Sequence, residues 1–148
     1  MKPNRFKTIE ERETFLVDLL KRAADDFGIL HPGAPVVIGV SGGRDSLCLV
    51  HLLVLYRDRV EPTLQLIPAT VVSEVQRIDI APVQHWLESL GLEHRAIVAA
   101  EIGEELRANG NRRACYTCSR RRRRKLCELS RDLGAAEIAL GHHRLDFL

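Results

Sequence analysis

Apolar residues change their spacing several times along the chain, and each change predicts an element. Over residues 8–27, Ile9, Phe15, Leu16, Leu19, Leu20, Ala23 and Phe27 recur at helical spacing. Thr8-x-x-Glu11 forms a capping box before them and Gly28 a stop after them, so an amphipathic packing helix precedes the core. The loop Leu30-His31-Pro32-Gly33-Ala34-Pro35 resets the backbone, with His31 expected in solvent. Residues 36–40, Val-Val-Ile-Gly-Val, are apolar without alternation, as in a parallel strand covered on both faces. The helix expected over about 45–56 is apolar nearly all round, from Leu47, Cys48, Leu49 and Val50 to Leu52, Leu53, Val54 and Leu55. It should be central and buried, with Cys48 in the core and His51 on the surface.

Leu64–Val72 predicts a second strand, and residues 79–90 a helix with Pro82 in its first turn and Gly91 at its end. Its stripe is Val83, Trp86, Leu87 and Leu90, which makes Trp86 core and His85 rim. Residues 93–98 predict a third strand, and the polar stretch Glu101–Arg113 a loop that is mobile around Asn109-Gly110-Asn111. A helix over about 117–133 lines up Cys118, Arg122, Leu126, Leu129 and Leu133 before Gly134 closes it. Residues 136–140 complete the set as a fourth strand. Such alternation means an α/β fold of Rossmann-like type, a doubly wound parallel sheet with right-handed crossovers and ligands beyond the strand carboxyl ends. Ser41–Ser46 and Gly141–His143 both follow strands there. The expected division is an N-terminal helix and connection at 1–34 and a single nucleotide-binding domain at 35–148.

Composition narrows this picture little. With 45% hydrophobic and 28% charged residues in 148, the chain reads as one ordinary globular domain, without the ~20-residue apolar run of a membrane span. The basic N-terminus leads into no apolar segment, so no signal peptide is expected and the cytoplasm is the expected location. Net charge is only +2, yet residues 112–125 hold eight basic side chains and no acidic one. An uncompensated block of that kind suits a polyanion. Four cysteines, Cys48, Cys115, Cys118 and Cys127, without a secretory signal argue for metal, cluster or redox use.

The candidate chemistry starts at Ser41-Gly42-Gly43-Arg44-Asp45-Ser46. Glycines let backbone N–H groups of Ser41, Gly42 and Gly43 turn inward and let a ligand approach the main chain. The following helix adds its N-terminal dipole, so phosphate is the natural guest. Ser41 and Ser46 can donate hydroxyls, and Asp45 can hold Mg²⁺. No lysine follows the glycines, so this is not a Walker A loop. Residue for residue it resembles the SGGxDS loop of the N-type ATP pyrophosphatases, which cleave ATP between the α- and β-phosphates.

Two further segments, Cys115-Tyr116-Thr117-Cys118-Ser119-Arg120 and Leu140-Gly141-His142-His143-Arg144 with Asp146, extend that resemblance to the tRNA 2-thiocytidine synthetases, in their amino-terminal part. The resemblance implies an adenine nucleotide alpha hydrolase-like fold and an ATP-dependent tRNA sulfurtransferase: the base oxygen is adenylated, pyrophosphate leaves, and sulfur is then delivered. It implies ATP and Mg²⁺, with Asp45 and Asp146 as catalytic carboxylates and Ser41, Gly42, Gly43, Arg44, Asp45, Ser46, Gly141, His142 and His143 around the nucleotide. It also implies an iron–sulfur cluster, 4Fe–4S in type, with Cys115 and Cys118 as two of three ligands; the third lies downstream of the LGHHR segment, past residue 148. Two reduced structural cysteines or half of a zinc site remain the alternatives for this pair. Cys127, nine residues after Cys118 and about 13 Å along a helix, is expected in the core. His142 and His143 either touch the nucleotide or cap the strand. Arg120, Arg121, Arg124 and Lys125 are the expected tRNA contacts, and the implied partners are tRNA, a sulfur donor such as a cysteine desulfurase and, as an option, a second copy of the chain. Leu145 departs from the family, which has an aspartate there. Two other readings stay open: a lysidine- or 2-thiouridine-type tRNA-modifying pyrophosphatase, and a non-catalytic nucleotide- or RNA-binding module.

Overall fold

A computed structural model describes residues 6–74, 79–108 and 114–142. Its elements run α1 Ile9–Phe27, β1 Pro35–Gly39, α2 Arg44–Arg59, β2 Gln65–Val72, α3 Ala81–Ser89, β3 Arg95–Val98, α4 Ala100–Ala108, α5 Ala114–Asp132 and β4 Glu137–Leu140. The four strands form one sheet in the order β3-β2-β1-β4, parallel throughout. The chain steps outward from β1 to β2 to β3 and then crosses back to β4 on the other flank of β1. That reversal lies between β1 and β4, and in such sheets a ligand crevice lies outside the carboxyl ends of the strands at the reversal.

The central strands are buried because helices cover both faces, and Val36, Val37 and Ile38 have no exposed surface. Val36 and Ile38 pack with Val50, Leu53, Val54, Leu66 and Leu87 on the α1/α2/α3 side. Val37 packs with Ala69, Val71, Ile102, Leu106 and Leu126 on the α4/α5 side. Pro68 sits in an interior strand, which a missing N–H normally forbids. Ala69 carbonyl accepts from Val40 N–H at 2.8 Å, so Ala69 faces β1 and Pro68 faces the other way. Pairing with β3 begins only at Ala69↔Arg95, and no strand donor is needed at Pro68.

Several sequence expectations hold. The Thr8–Glu11 capping box is formed, and Gly28 ends α1 in the left-handed region at φ 61°. His31 and His51 are exposed, and Trp86 is half-buried against the core with His85 outside it.

Others are corrected. The polar stretch after β3 is not a loop through its first half but helix α4. Ile102 and Leu106, four residues apart, put two apolar side chains on one helical face, and both are buried. Asn109-Gly110-Asn111 lies outside the described residues. Helix α5 begins at Ala114, so Cys115 lies inside it together with Cys118 and not ahead of it. The α1 stripe is only partly used: Val17 and Ala24 are buried, whereas Ile9 and Phe27 are 74% and 78% exposed. Among the described residues α1 packs chiefly on α2, so one line of contact accounts for most of its burial. For the same reason α2 is not buried all round, and Cys48 is exposed toward an apolar groove shared with Ile9, Leu16 and Trp86. Cys127 is exposed too, because α5 turns Leu126 and Ser130 inward instead.

A candidate nucleotide-binding cleft

Val40 directly follows β1 and is held from two sides. Its N–H donates to Ala69 carbonyl, and its own carbonyl accepts from Thr70 Oγ1 at 2.8 Å. Because that hydroxyl hydrogen is committed to Val40, Thr70 Oγ1 must accept from His94 Nε2, 2.8 Å away. Burial pushes the His94 pKa down, with Glu88 opposing, which favours the neutral ring with its hydrogen on Nε2. Sequence reasoning passed over both residues, since neither belongs to a motif.

Beyond this anchor the chain turns at Gly42, whose φ of 80° suits glycine, and Gly43 starts α2 without any side-chain cap. The loop then closes on two hydroxyls. Ser46, 5% exposed, donates from Oγ to Gly43 carbonyl at 2.9 Å. Its hydrogen being used, Ser46 Oγ accepts from Ser41 N–H and from Ser41 Oγ, each at 3.2 Å. Ser41 Oγ in turn accepts from Gly43 N–H at 3.3 Å. The N–H groups of Ser41 and Gly43 are thus engaged by long bonds within the loop. A phosphate oxygen would offer them a charged, stronger acceptor. Arg44 and Asp45 are exposed in the first turn of α2.

Gly141 brings the end of β4 onto this helix start. A Cβ there would stand 2.9 Å from the backbone of Asp45 and Ser46, so only glycine permits the approach. Its neighbour His142 is exposed, with its N–H donating to Leu140 carbonyl at 2.9 Å. His143, Arg144, Leu145 and Asp146 lie outside the described residues, so the expected second carboxylate has no position here.

Between these pieces opens a cleft of about 280 Å³ at the carboxyl ends of β1, β2 and β4. Ser41, Ser46, Gly141 and His142 line one side, and Ser119, Arg122, Arg123 and Leu126 of α5 line the other. The structure therefore joins the glycine loop, the Gly-His segment and the cysteine-bearing helix, which lie far apart in sequence.

Cys115 and Cys118 are one helical turn apart on α5 and both are free thiols, Cys115 exposed and Cys118 half-buried. Spacing of three residues puts them on one side of the helix, where two thiolates can bind a common centre. α5 is unbroken through Cys127, so its nine-residue separation from Cys118 keeps it about 13 Å away along the axis. Among the described residues no group of three Cys, His, Asp or Glu side chains converges as a metal site. The pair fits part of a cluster site, not a whole one.

The basic run is not uncompensated, contrary to expectation. Glu105 of α4 takes Arg120 at 3.3 Å and Arg121 at 2.5 Å. Glu128 takes Arg124 at 2.9 Å and Lys125 at 3.3 Å, and Glu101 takes Lys125 at 2.9 Å. Hydrogen bonding to Lys125 holds the Glu101 carboxyl below its ordinary range, and Glu101 in turn raises Lys125. Each of the four expected tRNA contacts thus has an acidic neighbour, while Arg122 and Arg123 face the cleft. Among the described residues no helix is long and apolar enough to cross a membrane.

No family model matches the chain. It is 32% identical over 143 residues to the tRNA-cytidine(32) 2-sulfurtransferase of Polynucleobacter asymbioticus, a match covering 92% of this chain and 45% of the relative. The enzyme of the same name from Cupriavidus metallidurans is 34% identical over 139 residues, covering 92% and 44%. The chain thus spans slightly under half the length of the curated relatives it matches, and the resemblance to the amino-terminal part of the 2-thiocytidine synthetases is borne out. Among solved structures it superposes on the U34-tRNA thiolase NcsA from Methanococcus maripaludis with its 4Fe–4S cluster, at a TM-score of 0.71 and 24% identity, over 91% of this chain and 46% of that one. The NH3-dependent NAD synthetase from Campylobacter jejuni follows at a TM-score of 0.59 and 14% identity, over 89% and 56%. These likenesses establish the adenine nucleotide alpha hydrolase-like fold.

Proposed function

We propose that the cleft binds ATP with its β- and γ-phosphates on the Ser41–Ser46 loop, and that the protein acts in ATP-dependent thiolation of tRNA at the C2 position of a cytidine. One observation carries this reading: the uncapped start of α2 and the helix bearing Cys115 and Cys118 face each other across one cleft at the sheet's switch point. The curated relatives, tRNA-cytidine(32) 2-sulfurtransferases, supply the substrate class.

The loop stabilises negative charge on the phosphates with N–H groups and a helix dipole, which are set in place before the ligand arrives. Asp45 stands in the first turn of α2 as the described carboxylate placed to hold Mg²⁺ there. In the first step the cytidine C2 oxygen attacks the α-phosphorus; the bond from that phosphorus to the bridging oxygen breaks and pyrophosphate departs with the electron pair. Sulfide then adds at C2 and AMP leaves with the oxygen. An iron–sulfur cluster held in part by the Cys115 and Cys118 thiolates would carry that sulfur. The cleft side of α5 keeps those thiols close to the nucleotide, since Cys118 is only one turn from Arg122.

The test is calorimetry of Mg-ATP binding, followed by incubation with ATP, sulfide and unmodified tRNA and mass spectrometry of the nucleosides. ATP binding with 2-thiocytidine formation is the expected result for the protein bearing a full set of cluster ligands. 2-Thiouridine in its place would reassign the base, and absence of ATP binding would remove the reading.

A further inference from the structure

The glycine loop lacks the lysine that other phosphate loops use, and its own contacts are N–H groups, hydroxyls and a helix dipole. A polyphosphate brings several negative charges into the cleft, and partial charges alone answer them incompletely. The cations lining the described cleft are Arg122 and Arg123, on the wall opposite the loop. Helical geometry explains why these two and not their neighbours. Each residue turns the helix by about 100°, so a run of six basic residues must divide among faces. Arg120 and Arg121 turn to Glu105, and Arg124 and Lys125 to Glu128 and Glu101. Arg123 stays exposed at the cleft, its Nε 3.5 Å from the carbonyl of Ser119, another lining residue one turn back. A guanidinium there can engage two phosphate oxygens at once.

We propose that Arg122 and Arg123 form the cationic wall of the site, taking the β- and γ-phosphates and then the departing pyrophosphate, while Arg120, Arg121 and Lys125 dock α5 against α4 and Arg124 pairs with Glu128 within α5. The inference rests on the reading of the cleft as an ATP site and adds the residues that select a polyphosphate over a monophosphate. It also ties nucleotide to thiol: Cys118 and Arg122 are four residues apart on one face, about 6 Å along the axis.

The experiment is calorimetry on the full chain with Mg-ATP, Mg-pyrophosphate and AMP, comparing the parent with Arg123→Gln, Arg122→Gln and Lys21→Gln. Lys21 is an exposed α1 cation remote from the cleft lining, so its variant controls for loss of one charge. Arg123→Gln and Arg122→Gln should each weaken ATP and pyrophosphate about tenfold, as expected for one charged hydrogen-bonding group, with AMP changed less than twofold. Lys21→Gln should change none of the three. Arg122 is half-buried and its variant is checked by thermal melting; Arg123 is exposed, so its variant keeps the test valid if Arg122→Gln misfolds. Undiminished ATP and pyrophosphate affinity in Arg123→Gln, or an equal loss for AMP, would overturn the wall while leaving the ATP site standing. A parent that binds pyrophosphate but not ATP, with the arginine dependence intact, would sustain the wall and remove the nucleotide reading. Binding of neither ligand by the parent would end both.

Discussion

The two sides of the cleft work by different means. On the α2 side the ligand would meet backbone and small side chains: Gly42 at positive φ, the uncapped helix start, and two serine hydroxyls that close the loop on itself. On the α5 side it would meet long charged side chains whose direction depends on what α4 offers them. Local backbone chemistry is written in consecutive residues. The disposition of Arg120, Arg121 and Lys125 is written in another helix.

This contrast can be broken most sharply at Gly141. A Cβ there collides with the Asp45 and Ser46 backbone at 2.9 Å, so Gly141→Ala should push β4 and the loop apart. Overpacking of this kind costs about 2 kcal/mol, and Mg-ATP affinity measured by calorimetry should fall about thirtyfold with a lower melting temperature. Unchanged affinity would mean that the loop does not need the β4 end.

Asp45→Ala comes next, with Mg-ATP affinity falling about tenfold as one charged contact is lost. Binding of ATP without Mg²⁺ should change much less, since the carboxylate is there for the cation. An equal loss in both conditions would assign Asp45 to the loop's own structure.

The α5 side predicts smaller and opposite-signed effects for tRNA. Replacing Arg120, Arg121 and Arg124 by Gln should flatten the slope of log K against log salt, but by less than the roughly one unit per contact of an unpaired cation. Glu105 and Glu128 already neutralise part of that charge. Conversely, Glu105→Gln should tighten tRNA binding by about two- to threefold, as removal of a weak surface pair allows. Filter binding across a salt series measures both, and weaker binding by Glu105→Gln would place these arginines outside the RNA surface.

The smallest effect concerns pH. Lys125 holds the Glu101 carboxyl below its ordinary value of 4.5, so this pair favours the fold above that value and its contribution is lost as pH falls through the lower, folded-state pKa. Glu101→Gln should therefore lower the melting temperature slightly at pH 7 and not at all once the pH is well below the folded-state pKa. A difference that persists at low pH would assign Glu101 a packing role.

The sequence by itself determined the alternation of elements, the parallel sheet and the phosphate loop, because each depends on neighbouring residues. Val36–Val40 has no polar face to expose, Thr8 and Glu11 cap their own helix, and Ser41–Ser46 turns where glycine allows it. Even α4 was there to read, in the four-residue step from Ile102 to Leu106, had its seven polar or small neighbours not outweighed two apolar ones. What only the tertiary structure decided are matters of what stands opposite. Cys48 and Cys127 each lie next to apolar helix positions yet are exposed, since a helix buries only the side its neighbours cover. Thr70 and His94, 24 residues apart, meet behind Val40 through β2–β3 pairing that no local pattern announces. The arginine run is the clearest case: its charge is legible in one line of sequence, but which arginines face the cleft depends on the acidic residues of α4 and on helical rotation. Charge belongs to a residue, whereas its availability belongs to the fold.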